Sequence, residues 1–313
     1  MQNEKVALLL AQLEQVIYGK EQQCRLALTA LLAEGDLLVE DVPGVGKTTL
    51  ALALARSLDL SFGRIQFTPD TLPGDVIGYS TIDLHSGELR FHEGPVMHII
   101  VLADEINRTS PKTQASLLEV MAERQVTVEG RTLPLPRPFM VIATENPIEF
   151  AGTYRLPEAQ LDRFLMRISM GYPEEADEVN MLRTRLTGDR LAELQPVLNG
   201  QELLELQKEA ASVHLTDEIG KFIVRLAAAT RRSRSLKLGA SPRAVIALGR
   251  CARAWAWLEG RDYVRPDDVL AVVPAVLTHR LVLSLEAGMR SATAASVLED
   301  CVRTVAVPPV YSK

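Results

Sequence analysis

Two closely spaced glycines are followed by lysine and threonine between residues 40 and 49 of the chain. Glycine lets a backbone approach phosphate oxygens, and the N–H groups at a helix N-terminus favour a bound anion. The lysine would neutralise the β- and γ-phosphates of a nucleotide, and the threonine hydroxyl would hold Mg²⁺. The predicted phosphate loop consists of Val42, Pro43, Gly44, Val45, Gly46, Lys47, Thr48 and Thr49.

Asp41 departs from the general pattern of such loops, which places glycine at this position. A carboxylate beside a polyphosphate is unfavourable, because like charges repel. The side chain of Asp41 must therefore turn away from the phosphates if the loop is to bind them.

Two adjacent acids follow the apolar segment Ile99–Ala103. Asp104 can hold Mg²⁺ through water, and Glu105 can polarise an attacking water as a general base. Two acids in an ordinary loop are the competing interpretation. Their place downstream of a phosphate loop favours the catalytic one.

Asn146 follows a further apolar segment, Phe139–Ala143. Its amide could orient water or contact the γ-phosphate, although a simple Asn-Pro turn is a fair alternative. Parallel strands end at the same edge of a sheet, so position favours a functional role.

The elements that must position these residues form an α/β pattern in the first half of the chain. Near-continuous apolar strands are typical of a parallel sheet buried on both faces. Ser110 and Pro111 predict the N-cap and first residue of one helix, and Val126–Leu135 around Gly130 predicts a hairpin. The predicted strands are Leu37–Val39, Arg64–Phe67, Ile99–Ala103, Phe139–Ala143 and Leu165–Met170.

From about Pro173 onward the pattern is helical, with no convincing strand, and Pro274 predicts a kink or break in the last helix. We therefore expect an α/β domain over 1–173, a helical connection over 174–195 and an all-α domain over 196–313. The predicted helices are Glu202–Ala211, Asp217–Ala229, Pro242–Glu259 and Pro266–Leu283.

The composition is that of a soluble globular protein, with 313 residues, 47% of them hydrophobic and 24% charged. The net charge of −6 argues against a general nucleic-acid binder. Three separated cysteines show no metal-ligand spacing, and no apolar run is long enough to span a bilayer. We expect a cytoplasmic location.

In this order, the motifs resemble the AAA+ superfamily of ATPases and, within it, the MoxR family. In that family an acid at position 41 is not disqualifying. The resemblance covers nearly the whole chain and implies a P-loop core with a parallel five-stranded sheet, followed by an all-α lid. The segments that carry it are Glu40–Thr48, Phe91–Pro95, Leu102–Arg108, Lys112–Gln114 and Leu156–Phe164.

The resemblance implies roles for several arginines. Arg163 would be an arginine finger that reaches the ATP of a neighbouring subunit, with Arg155 as a second candidate. Arg243 would be the lid arginine that senses the γ-phosphate, and we expect it to approach from the same subunit as Lys47. A guanidinium matches phosphate oxygens bidentately, which suits both roles.

Three further segments match the family pattern. Ile17, Tyr18 and Gly19 correspond to the segment that lines the adenine pocket. Thr71–Val96 corresponds to an insertion in the second helix, and Val126–Leu135 corresponds to a hairpin before the Asn146 strand. In related machines such loops face a central pore and handle the client.

The function implied by the resemblance is that of a hexameric, ATP-driven remodelling or chaperone-like machine that uses ATP and Mg²⁺. Its partners would be protein clients and a protein with a von Willebrand factor A domain, in maturation or metal insertion. A chelatase motor subunit is the alternative within AAA+. A nucleic-acid motor has support only from the basic segment Arg231–Lys237, and a nucleotide-gated scaffold with little turnover is a third class.

Overall fold

The computed structural model describes residues 4–42, 44–85, 87–147, 153–188 and 190–309. Its strands are β1 Leu37–Glu40, β2 Phe62–Gln66, β3 Gly78–Ile82, β4 Leu89–Glu93, β5 Ile100–Asp104, β6 Gln125–Val128, β7 Arg131–Pro134, β8 Met140–Glu145, β9 Met166–Ile168, β10 Leu236–Leu238 and β11 Val282–Leu283. Its helices are α1 Glu4–Val16, α2 Glu21–Leu32, α3 Lys47–Ser57, α4 Pro73–Ile77, α5 Pro111–Glu123, α6 Glu158–Leu161, α7 Glu175–Thr187, α8 Arg190–Glu193, α9 Gly200–Ser212, α10 Asp217–Arg232, α11 Pro242–Leu258, α12 Pro266–Leu277, α13 Leu285–Met289 and α14 Ala294–Arg303.

A five-stranded parallel sheet in the order β2-β5-β8-β1-β9 forms the first half of the molecule. The strands are the five that the sequence predicts, displaced by at most two residues at their starts and ends. Because β8 lies between β5 and β1, the segments that follow these three strands meet at one edge. The predicted fold class, an α/β core followed by a helical lid, is confirmed.

Each face of the sheet is covered by its own apolar cluster. Leu37 and Val39 of β1 face α1, α2 and α3, whereas Leu38 joins the cluster formed by β5, β8 and α5. The strands are thus buried on both sides, which explains why they read as continuous apolar runs rather than as an alternation.

Two antiparallel hairpins project from this core. β3 pairs with β4 inside the predicted insertion, and β6 pairs with β7 where the sequence predicts a hairpin. The β6–β7 turn has φ of 51° at Glu129 and 77° at Gly130, as expected for a tight two-residue hairpin turn.

The second half is helical, as predicted, apart from one small sheet. β10 and β11 pair in an antiparallel manner, so the expectation of no strand after Pro173 is wrong. These strands have three and two residues, which is too short to leave a periodic pattern in the sequence. The last predicted helix is also too long: α12 contains Pro274 and ends at Leu277.

The lid shares a continuous apolar cluster with α1, α2 and α3. The buried Gln207 of α9 donates a hydrogen bond of 2.8 Å to the carbonyl of Leu31 in α2, and α11 also packs on α2. The lid is therefore docked firmly on the first half of the molecule. The domain limits at 173 and 195 stay predictions. Among the helices of the described residues, none is both long and apolar enough to cross a membrane.

Candidate nucleotide site

The predicted phosphate loop connects β1 to α3. Gly44 and Gly46 have φ of 86° and 94°, a conformation that favours glycine, and no side chain caps the N-terminus of α3. The N–H groups of this helix end are therefore available to an anion. Lys47 is 8% exposed and donates a hydrogen bond of 2.6 Å to the carbonyl of Asp41. Pro43, predicted as part of the loop, lies outside the described residues.

Asp41 turns away from the loop, as the sequence argument requires. Its carboxylate accepts hydrogen bonds from the Ser169 hydroxyl at 2.8 Å and from the backbone N–H groups of Gly171 and Val42 at 2.6 and 2.8 Å. Burial raises the pKa of Asp41, but these hydrogen bonds outweigh it and hold the pKa below its ordinary value. Asp41 thus anchors the segment that follows β9.

Asp104 lies at the end of β5, two strands from the phosphate loop. One carboxylate oxygen accepts a hydrogen bond of 2.7 Å from the hydroxyl of Thr144 on β8, and the other accepts one of 2.7 Å from Arg64 on β2. The two bonds hold the carboxylate at the carboxyl edge of the sheet, the edge at which β1 leads into the phosphate loop.

Glu105 adopts a left-handed backbone conformation with φ of 59°, and its N–H donates to the Thr144 hydroxyl at 2.8 Å. Its carboxylate accepts a hydrogen bond of 3.0 Å from Gln66 and forms an ion pair of 3.1 Å with Arg108. A non-glycine residue in this conformation carries strain of about 1–3 kcal/mol, which the surrounding contacts must offset. The contacts of Arg64, Gln66 and Thr144 were not predicted from the sequence.

Asn146 follows β8 and is 2% exposed. Its carbonyl accepts a hydrogen bond of 3.1 Å from the Asn107 side chain, and the Asn107 carbonyl accepts one of 2.7 Å from the N–H of Tyr154. The segment that carries Asn146 is thus tied to the segment that follows Glu105. Because β8 separates β1 from β5, Asn146 lies between the phosphate loop and the two acids.

An apolar cleft of about 450 Å³ opens beside the phosphate loop. Ile17 and Tyr18 line it, as the family pattern implies, together with Gly44, Val45, Gly46 and Thr49. Its opposite wall was not predicted and comes from the end of the core and from α7, with Tyr172, Pro173, Glu178, Met181 and Leu182. The flat apolar ring of a nucleotide base would fit in this cleft, beside the phosphate loop.

Gly19 allows α7 to approach the cleft closely. Its φ is 63°, and a Cβ there would lie 1.9 Å from a carboxylate oxygen of Asp177. Gly19→Ala must therefore turn the half-buried Asp177 side chain out of this space, and we expect ATP binding to weaken several-fold in a calorimetric titration. Gly87→Ala is the matched control: its φ is 72°, nothing lies within 4 Å of its Cβ, and it should lose only about 1 kcal/mol of stability with unchanged ATP affinity. Equal affinities for both variants would contradict the role of close packing at Gly19.

Glu145, at the end of β8, has a raised pKa. Burial, and then the charge of Glu40, raise its pKa from 4.5 to about 6, against the opposing effects of Arg167 and Arg155. The folded state binds this proton more tightly than the unfolded state, so ionised Glu145 costs up to about 2 kcal/mol above pH 6, and the cost declines as pH falls toward 4.5.

Glu145→Gln should therefore raise the free energy of unfolding at pH 8, and the gain should shrink to less than half at pH 5. Urea unfolding at the two pH values measures both quantities. Glu119→Gln, an exposed carboxylate on α5, serves as the control and should give little change at either pH. A gain of equal size at pH 5 and pH 8 would show that ionisation is not the cause.

A second, arginine-rich cleft of about 600 Å³ lies at the opposite edge of the sheet. Asp36, directly before β1, and Leu165, directly before β9, line it. Arg163 and Arg243 line it too. The four residues of β1 lie between this edge and the phosphate loop, a distance of about 13 Å at about 3.3 Å per strand residue.

Arg243 lies in this second cleft, and the expectation that it approaches the phosphates with Lys47 of the same chain stays a prediction. Arg243 lies at the start of α11, whose packing on α2 carries it to the amino edge of the sheet beside Arg163. The side chain of neither arginine has a hydrogen bond or ion pair to any residue that the structure describes. Arg155 differs from both: its charge acts on Glu145, at the carboxyl edge of its own sheet.

The fold and these two clefts define a P-loop nucleotide-binding protein with a helical lid. Sequence profiles agree: residues 36–166 match the ATPase family associated with various cellular activities (AAA), and residues 228–301 match the AAA lid domain. The chain is 41% identical to Chaperone MoxR1 of Mycobacterium tuberculosis, over 96% of this chain and 81% of that protein. It therefore belongs to the MoxR family of AAA+ ATPases.

Two further relatives extend over almost the whole chain. The uncharacterized protein YeaC of Bacillus subtilis is 47% identical, over 95% of this chain and 92% of that one. A crystal structure of a protein from Cytophaga hutchinsonii is 36% identical with a TM-score of 0.91, covering 98% of this chain and 96% of the other. The arrangement of core and lid is therefore shared with a solved structure.

The residues present fit a Mg²⁺-nucleotide. An uncapped helix N-terminus, a buried lysine and two glycines with positive φ suit a polyphosphate. No group of three or more His, Cys, Asp or Glu side chains that could hold a metal occurs in the described part of the chain. Mg²⁺ needs no such group, because in nucleotide sites it is held by one or two protein oxygens and by the phosphates, and Thr48 and Asp104 offer those oxygens.

Proposed function

We propose that this protein hydrolyses ATP at a site shared between two copies of the chain. One observation carries the proposal: two arginines without partners among the described residues line a cleft at the sheet edge opposite the phosphate loop. A guanidinium left unpaired in a cleft is suited to bind an anion. Both arginines line the cleft at the sheet edge opposite their own phosphate loop, and in a head-to-tail assembly they would face the phosphates of a neighbour.

Within one chain the remaining groups have separate tasks. Lys47 and the N-terminus of α3 would bind the phosphates, and Thr48 and Asp104 would hold Mg²⁺. Bound Mg²⁺ would neutralise charge on the phosphate oxygens. Glu105 would accept the proton of the attacking water, and Asn146 would orient that water.

Gln66 and Arg108 hold the Glu105 carboxylate in the present conformation. Proton transfer needs that carboxylate within hydrogen-bond reach of the water. We therefore expect the base to be released from at least one of the two partners before hydrolysis.

The assembly we propose is a hexameric ring in the cytoplasm that remodels protein clients. The shared site supports a closed ring, because head-to-tail interfaces close when the rotation permits. The name of the Mycobacterium tuberculosis relative, a chaperone, supports a protein client. The family resemblance supports a partner with a von Willebrand factor A domain, in maturation or metal insertion.

Lys47→Ala tests the nucleotide site directly. The variant removes the buried cation of the loop, so ATP affinity should fall at least 100-fold, measured by calorimetric titration with ATP and Mg²⁺. Lys221→Ala removes an exposed lysine of the lid and should bind ATP like the unmodified protein. Near-normal affinity of a folded Lys47→Ala variant would contradict the assignment.

A further inference from the structure

Arg280 of the lid is the most extensively bonded arginine beside the cleft that Arg163 and Arg243 line. Its side chain is only 3% exposed, and it donates to four oxygens. Nε donates to the Asp162 carboxylate at 2.7 Å, and the terminal nitrogens donate to the carbonyls of Phe164 at 2.6 Å, of Leu165 at 3.2 Å and of Val276. Arg280 thus holds the chain on both sides of Arg163.

Asp162 links the same segment to the start of α11. Its second carboxylate oxygen accepts a hydrogen bond of 3.3 Å from the hydroxyl of Ser241, which also caps α11 by accepting from the N–H of Ala244 at 3.1 Å. Asp162 directly precedes Arg163, and Ser241 lies two residues before Arg243. One carboxylate therefore connects the backbone positions of the two unpaired arginines.

We infer that Arg280 is a positioning residue that sets Arg163 relative to Arg243 by holding Asp162 between them. Arg280 itself is buried and four of its five N–H donors are occupied, so it does not need to touch the nucleotide. Both arginines must meet one γ-phosphoryl group, and a misplacement of about 1 Å can cost about 100-fold in rate. The inference rests on the shared site proposed above, because only there do the two arginines act on one substrate.

Arg280→Lys should keep the buried charge but lose most of the four bonds, since an ammonium cannot reproduce the planar fork. We expect kcat for ATP to fall at least ten-fold with KM within two-fold of normal. Arg261→Lys is the matched control, because Arg261 also pairs in the lid with a buried carboxylate, Asp268 at 2.6 Å, but outside the cleft. We expect Arg261→Lys to keep a normal kcat, although its melting temperature should fall about as much as that of Arg280→Lys.

Mixing experiments separate positioning from damage to the fold. Arg280→Lys retains its phosphate loop, so mixing it with Lys47→Ala should restore activity, whereas mixing it with Arg163→Ala should not. The reference is a mixture of Arg163→Ala with Lys47→Ala, whose failure would overturn the shared site itself. If the reference mixture regains activity, three results would overturn the role of Arg280. These are a normal kcat in a folded Arg280→Lys variant, no recovery of activity when that variant is mixed with Lys47→Ala, and recovery when it is mixed with Arg163→Ala.

Ser241→Ala keeps the inference testable if Arg280→Lys does not fold. It removes the Asp162 bond together with a helix cap, whereas Thr216→Ala removes only a cap, that of α10. We expect kcat to fall several-fold more in Ser241→Ala than in Thr216→Ala. Equal kcat values for the two variants would contradict the positioning network.

Discussion

Arg163→Ala should bind ATP with normal affinity and hydrolyse it roughly 10³–10⁵ times more slowly, the range that an arginine finger contributes. Hydrolysis develops negative charge on the γ-phosphoryl group, and a phosphate loop with Mg²⁺ stabilises it only in part. Arg163 lines a cleft at the far edge of its own sheet, so its loss should leave the nucleotide cleft of the same chain intact. Single-turnover hydrolysis and calorimetric titration measure the two quantities separately.

Arg243→Ala should behave like Arg163→Ala, because the two arginines share a cleft. A mixture of either variant with Lys47→Ala should regain activity, since a mixed interface pairs an intact loop with intact arginines. A mixture of Arg163→Ala with Arg243→Ala should regain little, because every interface lacks one of them. Arg303→Ala, which removes an exposed ion pair with Glu299 on α14, is the charge control and should be fully active.

Besides failure of the mixture of Arg163→Ala with Lys47→Ala, two outcomes would contradict the shared site. One is activity independent of protein concentration in a species that light scattering shows to be monomeric. The other is loss of ATP affinity in Arg243→Ala, which would place that arginine in the nucleotide site of its own chain, as the sequence had suggested. If only Arg163→Ala remained active, Arg155 would be the next finger candidate, although its proximity to Glu145 puts it at the carboxyl edge.

The sequence predicts those parts of the site whose residues are neighbours along the chain. The phosphate loop is recognisable because Gly44, Gly46, Lys47 and Thr48 act within one turn, and their spacing alone encodes the geometry. The same holds for the two acids after β5. The five strands are predictable because burial on both faces leaves continuous apolar runs.

Contacts that depend on strand order or on lid docking are not encoded locally. Gln66 reaches Glu105 only because β2 pairs with β5, and nothing in the spacing of 39 residues indicates that pairing. Likewise, Arg243 faces the amino edge because α11 packs on α2, a contact between the two halves of the chain. Both depend on tertiary packing, which a linear pattern does not specify.

α7, which forms one wall of the nucleotide cleft, illustrates a third reason why part of the site cannot be predicted from the sequence. This helix is rich in acids and polar residues, so its sequence is typical of an exposed linker. Met181 and Leu182 nevertheless line the cleft, and the Asp177 side chain near the start of the same helix lies against Gly19. A close approach to one glycine leaves no periodic signal in the sequence of α7.

Glu105→Gln should bind ATP normally and hydrolyse it about 10²–10⁴ times more slowly, the contribution typical of a general base. The amide preserves the shape of the side chain and can still accept the hydrogen bond from Gln66, but it cannot take a proton from water. The folded structure should therefore be unchanged, and the ATP-bound assembly should accumulate because it can no longer turn over.

Size-exclusion chromatography with light scattering should show this trapped assembly at saturating ATP and Mg²⁺, and a rapid-quench measurement gives the rate of hydrolysis. Glu119→Gln is the charge control, and it should hydrolyse ATP at the normal rate. If Glu105→Gln kept the steady-state turnover of the unmodified protein, Glu105 would not be the base. If Glu105→Gln instead lost ATP affinity, the Glu105 carboxylate would contribute to nucleotide binding. Its bonds to Gln66 and Arg108 would then belong to the nucleotide site and would not restrain a catalytic base.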